Sequence, residues 1–183
     1  MSDVKGENAS STRGIADLSW VATGAGWLTG WHRPKLRDIE LLRKLGCQEV
    51  VTVLSEKEGA PMIGKAVHAA GMKWTWIPLG SARLPMSEHE EEMVLRALSE
   101  LNRALENGAH LFIHCSAGIH RTGMILYALL RCGGHDEKEA LELIRRIREE
   151  TRTGLDEARL NWGEAMADRF HSFQRGVNER RMI

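Results

Sequence analysis

The sequence predicts an α/β fold, a central and mostly parallel sheet flanked by helices. Two observations carry this. Short apolar, β-branched runs at Glu49–Leu54, Lys73–Leu79 and His110–His114 alternate with longer stretches whose apolar residues recur at helical spacing. Within the runs, apolar residues follow one another rather than alternating with polar ones, as in strands covered on both faces. A length of 183 residues favours one domain with a sizeable core.

The elements follow in order. Residues 1–14 are polar, with few apolar anchors, and are expected to form a flexible tail ahead of a single domain over 15–183. Ile15–Gly30 carries Trp20, Val21, Trp27 and Leu28 between glycines, which fits two short strands or a strand and a loop. The tryptophans there read as core or rim packing. Pro34, then Leu36, Ile39, Leu42 and Leu45, then Gly46, spell a helix with proline near its start and glycine after its end. The strand Glu49–Leu54 follows, then a helix over Ala60–Ala70 and the strand Lys73–Leu79. Gly80–Met86 is a loop. Ser87 with Glu90 fits a capping box that opens a long helix. His110–His114 returns to the sheet. Helices are expected near 121–132, over 136–151 with Asp136 as cap, and from Leu155 through Phe170, with Glu179–Arg181 fraying.

Composition narrows the function. Lysine plus arginine equals aspartate plus glutamate at 25 each, so no global charge draws the chain to nucleic acid or an anionic membrane. No apolar run is long enough to span a bilayer, and the first residues carry no signal-peptide core. Cys47, Cys115 and Cys132 are too few and too scattered for a disulfide framework. Together these predict a cytoplasmic protein. The eight histidines show no metal-ligand spacing, so no metal and no cofactor are expected.

The chemistry concentrates at Leu111-Phe112-Ile113-His114-Cys115-Ser116-Ala117-Gly118-Ile119-His120-Arg121-Thr122-Gly123. Cys115 falls between the carboxyl end of a strand and the amino end of a helix, where an open α/β sheet carries its ligand site. Unpaired amides and the positive helix end favour an anion there. A free thiol has a pKa of about 8.5, and that field eases loss of its proton. Gly118 lets the backbone close around an oxyanion, Arg121 offers a planar fork of donors, and the Thr122 hydroxyl can reach the sulfur. A thiolate beside such a cradle can attack phosphorus.

His-Cys-x5-Arg-Thr resembles the signature of the cysteine-dependent protein tyrosine and dual-specificity phosphatases, and the strand and helix order resembles their compact fold. The resemblance implies Cys115 as nucleophile, Arg121 as phosphate ligand, Thr122 as an aid to breakdown of the phosphocysteine, and His114 as support for the loop. It implies phosphate held by Ser116, Ala117, Gly118, Ile119, His120 and Arg121. It also implies hydrolysis of phosphomonoesters, phosphotyrosine, phosphoserine, phosphothreonine or aryl phosphate, on a phosphorylated protein or small molecule. A phosphoinositide, an RNA 5′-phosphate or anhydride, and a phosphate-binding module with little turnover are the alternatives. A rhodanese-like sulfurtransferase is disfavoured by His114 and Thr122.

One departure stands out. The family carries an aspartate on a loop some thirty residues before the cysteine, as general acid. The matching stretch here, Ile77–Ser87, has no Asp or Glu. Three explanations remain open: a glutamate at the following helix start (Glu88, Glu90 or Glu91); His120, in the loop position where myotubularin-type phosphatases have an acidic residue; or a leaving group that needs no acid. Arg83 is a candidate substrate contact, Asn161 a loose match to a water-positioning residue, and the basic stretch 145–154 reads as a solvated helix end.

Overall fold

The computed structural model of the chain describes residues 14–85 and 87–181, with 176–181 described by backbone alone. The expected tail lies almost wholly outside the described residues. Strands β1 (Val21–Thr23) and β2 (Gly26–Trp31) form a hairpin after a 3-10 turn at Ile15–Asp17. Then come α1 (Ile39–Lys44), β3 (Glu49–Thr52), α2 (Ala60–Ala69), β4 (Lys73–Trp76), α3 (Glu88–Glu106), β5 (His110–His114), α4 (His120–Cys132), α5 (Glu137–Ile147), α6 (Glu149–Thr153) and α7 (Glu157–Arg181).

The sheet order is β1-β2-β5-β3-β4. Only the β1–β2 pair is antiparallel, and β5 lies at the centre. In the register, His114 stands opposite Trp31 of β2 and Thr52 of β3. The parallel strands therefore end level with one another, and the chain leaves β5 at Cys115 flanked by the two segments that follow Trp31 and Thr52.

Side-chain alternation sends the two faces to different helices. A Cβ on Gly30 would meet Leu126 and Thr122 of α4, whereas a Cβ on Gly64 of α2 would meet the Trp74 ring. Helix α4 is the hub. Every residue from Arg121 to Leu130 is buried. Its far end is tied to α7 by Glu164, which accepts from Tyr127 Oη and from Arg131 Nε (2.6 Å) and Nη2 (2.7 Å).

Local signals hold at two helix starts. Ser87 caps α3 by accepting from the Glu90 N–H at 3.1 Å, and Asp136 caps α5 in a reciprocal capping box with Glu139. Two expectations need correction. The helix expected over 136–151 is broken at Arg148, whose φ of −164° and ψ of 122° are extended, so α5 and α6 are separate. The strand expected over Lys73–Leu79 ends at Trp76 and is the sheet edge. Lys73 is exposed and Trp74, Thr75 and Trp76 are half-buried, not covered on both faces. The backbone of α7 is helical through to Arg181.

Gly163 of α7 gives a test in which propensity and packing oppose each other. Alanine should favour a helix interior by about 1 kcal/mol. Yet a Cβ at Gly163 would lie 2.5 Å from Cδ1 of the fully buried Tyr127, and overpacking costs roughly 1–3 kcal/mol. Thermal unfolding of Gly163→Ala should show a lower midpoint than the parent; a higher one would contradict this packing of α4 on α7.

Candidate active site

The segment between β5 and α4 forms a loop around the Cys115 sulfur. Cys115 is buried, and its Sγ accepts from the Gly118 N–H at 3.3 Å. Gly118 has φ +70°, and a Cβ there would run into the backbone of Trp31 and His32. Glycine is therefore required twice over, by conformation and by the closeness of β2.

The backbone carbonyls of this loop are held from outside. Cys115 O is 3.3 Å from His114 Nδ1. Ser116 O accepts from the Arg33 N–H at 3.1 Å. Ala117 O accepts from Arg148 Nη1 at 2.8 Å. Gly118 O accepts from Thr151 Oγ1 at 2.6 Å and from Arg148 Nη1 at 3.5 Å. In a trans peptide, C=O and the following N–H point in opposite directions. Carbonyls anchored outward therefore turn the amides of residues 116–119 toward the inside of the loop. Donors converging at a helix amino end make an anion cup.

Arg121 closes it. Its guanidinium is almost fully buried and reaches Leu79 O (Nη1, 2.8 Å), both Glu58 carboxylate oxygens (2.8 Å each) and Ser116 Oγ (Nη2, 3.1 Å). The Arg121 guanidinium, with Ser55 and Ser116 also donating, holds the Glu58 carboxyl well below the usual carboxylate range. The same pairing raises Arg121. Glu58 is set by its own turn, where Ser55 donates to it from N–H and hydroxyl at 2.9 Å each. Beneath the loop, burial pulls His114 down to about 3, with nearby Arg33, Arg121 and His32 adding to the effect and its bond to Cys115 opposing it. His114 is thus neutral at ordinary pH. Thr122 is fully buried, and its Oγ1 has no hydrogen-bond partner among the described residues. Burial pushes the other two thiols, Cys47 and Cys132, up to about 12.

Cys115, Ser116, Ala117, Gly118, Ile119 and Arg121 thus form one loop, with His114 below it and Thr122 in the first turn of α4. His120 opens α4 on the exposed rim, with its imidazole beside Gly154. The contacts of the α3 glutamates run elsewhere. Glu90 accepts from Arg83 (2.6 and 3.1 Å) and Glu91 from Arg169 (2.6 Å). Glu88 and Asn161 are exposed.

Sequence reasoning did not single out Glu58 or Thr151, and it misread Arg148. That residue does not sit on a solvated helix end. Its guanidinium carbon lies 4.7 Å from the centre of the Trp31 ring while it grips the loop carbonyls. The only local trace of Glu58 was Ser55-x-x-Glu58 after a strand, which reads as ordinary helix capping.

A cysteine at the head of an amide-lined loop on this sheet defines the cysteine-dependent phosphatases of dual-specificity type. The chain belongs to the family described as Swiss Army Knife protein, DSP-PTPase phosphatase domain, which matches residues 16–167. Solved structures agree in fold. Kinase associated phosphatase, with its catalytic-site cysteine substituted by serine, is 18% identical and superposes with a TM-score of 0.66 over 84% of this chain and 95% of that one. P. aeruginosa TpbA in complex with phosphotyrosine is 18% identical, with a TM-score of 0.53 over 85% and 86%. The core catalytic domain of the S. cerevisiae PP-IP phosphatase SIW14, in complex with citrate, is 14% identical, with a TM-score of 0.60 over 89% and 93%. No curated protein sequence matches the chain.

The Glu58–Arg121 pair predicts a pH dependence. A carboxyl depressed on folding stabilises the native state fully above its unfolded value, and that contribution is lost as pH falls through the folded one. Glu58→Gln should therefore lower the unfolding midpoint at neutral pH and narrow the gap from the parent as the medium becomes acidic. A gap that is constant with pH would contradict the pairing.

Proposed function

We propose that the protein hydrolyses phosphomonoesters through a phosphocysteine, with the catalytic unit spanning residues 15–183. The observation that carries this is the cup of inward amides around Cys115 Sγ, closed by Arg121. Sγ attacks phosphorus, the P–O bond to the leaving group breaks, and the phosphoryl group is left on sulfur. Amides 116–121 and the Arg121 guanidinium hold its equatorial oxygens as charge builds up. Water then displaces the sulfur and releases inorganic phosphate. The unpartnered Thr122 hydroxyl is available to donate to the departing thiolate.

The departing oxygen needs a proton unless it is already a good leaving group. Glu58 is locked as a carboxylate by Arg121, and Glu90 and Glu91 are engaged by Arg83 and Arg169. Of the two that remain, the exposed Glu88 and His120, only His120 lies in the loop sequence itself, one residue from Arg121 on the exposed rim. An imidazole can both give and take a proton. Aryl phosphates, phosphotyrosine among them, depend least on that proton, because a phenolate leaves more readily than an alkoxide. The phosphotyrosine complex of TpbA supports the same substrate class.

Cys115→Ser should abolish release of phosphate from an aryl phosphate, with or without chelator, while vanadate still binds. Turnover retained by this variant would overturn the reading. His120→Ala should slow an alkyl phosphate by roughly a hundredfold, the low end of general acid–base help, and a nitrophenyl phosphate far less. Equal losses on both substrates would remove His120 from the role.

A further inference from the structure

Three hydrogen bonds run in series across the sheet to the back of the catalytic loop. Trp74 Nε1 of the edge strand donates to Thr52 Oγ1 at 2.9 Å. Thr52 Oγ1 lies 2.9 Å from His114 Nε2. His114 Nδ1 lies 3.3 Å from Cys115 O. We propose that Trp74 and Thr52 are positioning residues, which fix His114 as the Nδ1–H tautomer and so hold the Cys115 carbonyl away from the cup. The consequence for catalysis rests on the reading of Cys115 as nucleophile; the tautomer does not.

The direction of the chain follows from what each group can do. An indole N–H only donates, so Thr52 Oγ1 accepts from Trp74. Thr52 and His114 are fully buried. If Nε2 carried the proton, Thr52 would accept twice and its own hydrogen would lack this acceptor, while a bare Nδ1 would face the lone pairs of Cys115 O. With the proton on Nδ1 the Thr52 hydroxyl donates to Nε2, Nδ1–H donates to the carbonyl, and every polar atom in the series is used. A buried donor left unmade costs more than a made bond contributes, so the second arrangement is preferred. The charged imidazolium is excluded separately, by burial and by Arg33, Arg121 and His32 around it.

The effect reaches the chemistry through one peptide plane. Pulling Cys115 O toward His114 sends the Ser116 N–H the other way, into the cup. Trp74 is held for this task by tight packing, with its ring against Gly64 of α2 and stacked on Trp76 at 5.7 Å between centroids. Thr52 and Trp74 lie on β3 and β4, outside the Cys115–Arg121 loop, and a role in the site is not apparent from either residue alone.

Long-range proton–nitrogen correlation of the histidine rings reads the tautomer directly. The parent should carry the His114 proton on Nδ1; a proton on Nε2 would overturn the proposal. Alkylation of Cys115 by iodoacetamide at pH 6 then reads the consequence. Thr52→Val should slow it about fivefold, near the worth of one net hydrogen bond of ~1 kcal/mol, and Thr52→Ser should restore it. Should Thr52→Val fail to fold, Trp74→Phe decides, because it keeps an aromatic ring on the edge strand and removes the indole donor to Thr52. Part of His114 should then appear as the Nε2–H tautomer, and an unchanged ring spectrum would overturn the relay. Unchanged alkylation in Thr52→Val would likewise overturn it. A parent whose Cys115 resists alkylation altogether would instead sink the nucleophile reading and leave the tautomer result standing.

Discussion

Four consecutive carbonyls, from Cys115 to Gly118, are gripped from outside the loop, and the rest of the site depends on that grip. Each holder belongs to a different part of the chain: His114 at the end of β5, the Arg33 amide after β2, Arg148 at the break between α5 and α6, and Thr151 in α6. A loop of this length, left to itself, would expose carbonyls and amides alike to water. Once the carbonyls are taken, the amides have one direction left, and the same loop becomes a receptor for an oxyanion. The break at Arg148 makes sense in these terms. An uninterrupted helix would forgo the extended residue that lets the guanidinium lie on Trp31 and reach back to Ala117.

Charge is arranged on the same frame. Arg121 sits at the start of a helix buried on all sides, where an unpaired guanidinium would be costly. Glu58, Leu79 O and Ser116 Oγ together take four hydrogen bonds from its two terminal nitrogens. Glu58 therefore sets the position of the arginine while remaining a carboxylate, which makes it a poor proton donor. The proton problem created by the acid-free loop at 77–85 is thus not solved by the nearest carboxyl.

Much of this was legible in the sequence because it is local. The strand–loop–helix around Cys115 and the caps at Ser87 and Asp136 follow from apolar spacing and residue chemistry over a few positions. The mostly parallel sheet follows from the alternation of strands and helices. What was not legible is long-range. Glu58 meets Arg121 across 63 positions, and Arg148 meets Ala117 across 31. Nothing near Glu58 or Arg148 distinguishes them from the other acids and bases of a chain that carries 25 of each. The edge position of β4 was hidden for a related reason. Its tryptophans read as a doubly covered strand, yet they pack on α2 and on each other at the open margin of the sheet.

A crystal structure with vanadate soaked into the site would test the cup most directly. The account predicts vanadium bonded to Cys115 Sγ, its equatorial oxygens accepting from the amides of residues 116–121 and from Arg121, with all four carbonyls still turned outward. An oxyanion bound elsewhere, or any of those carbonyls facing the metal's oxygens, would contradict it.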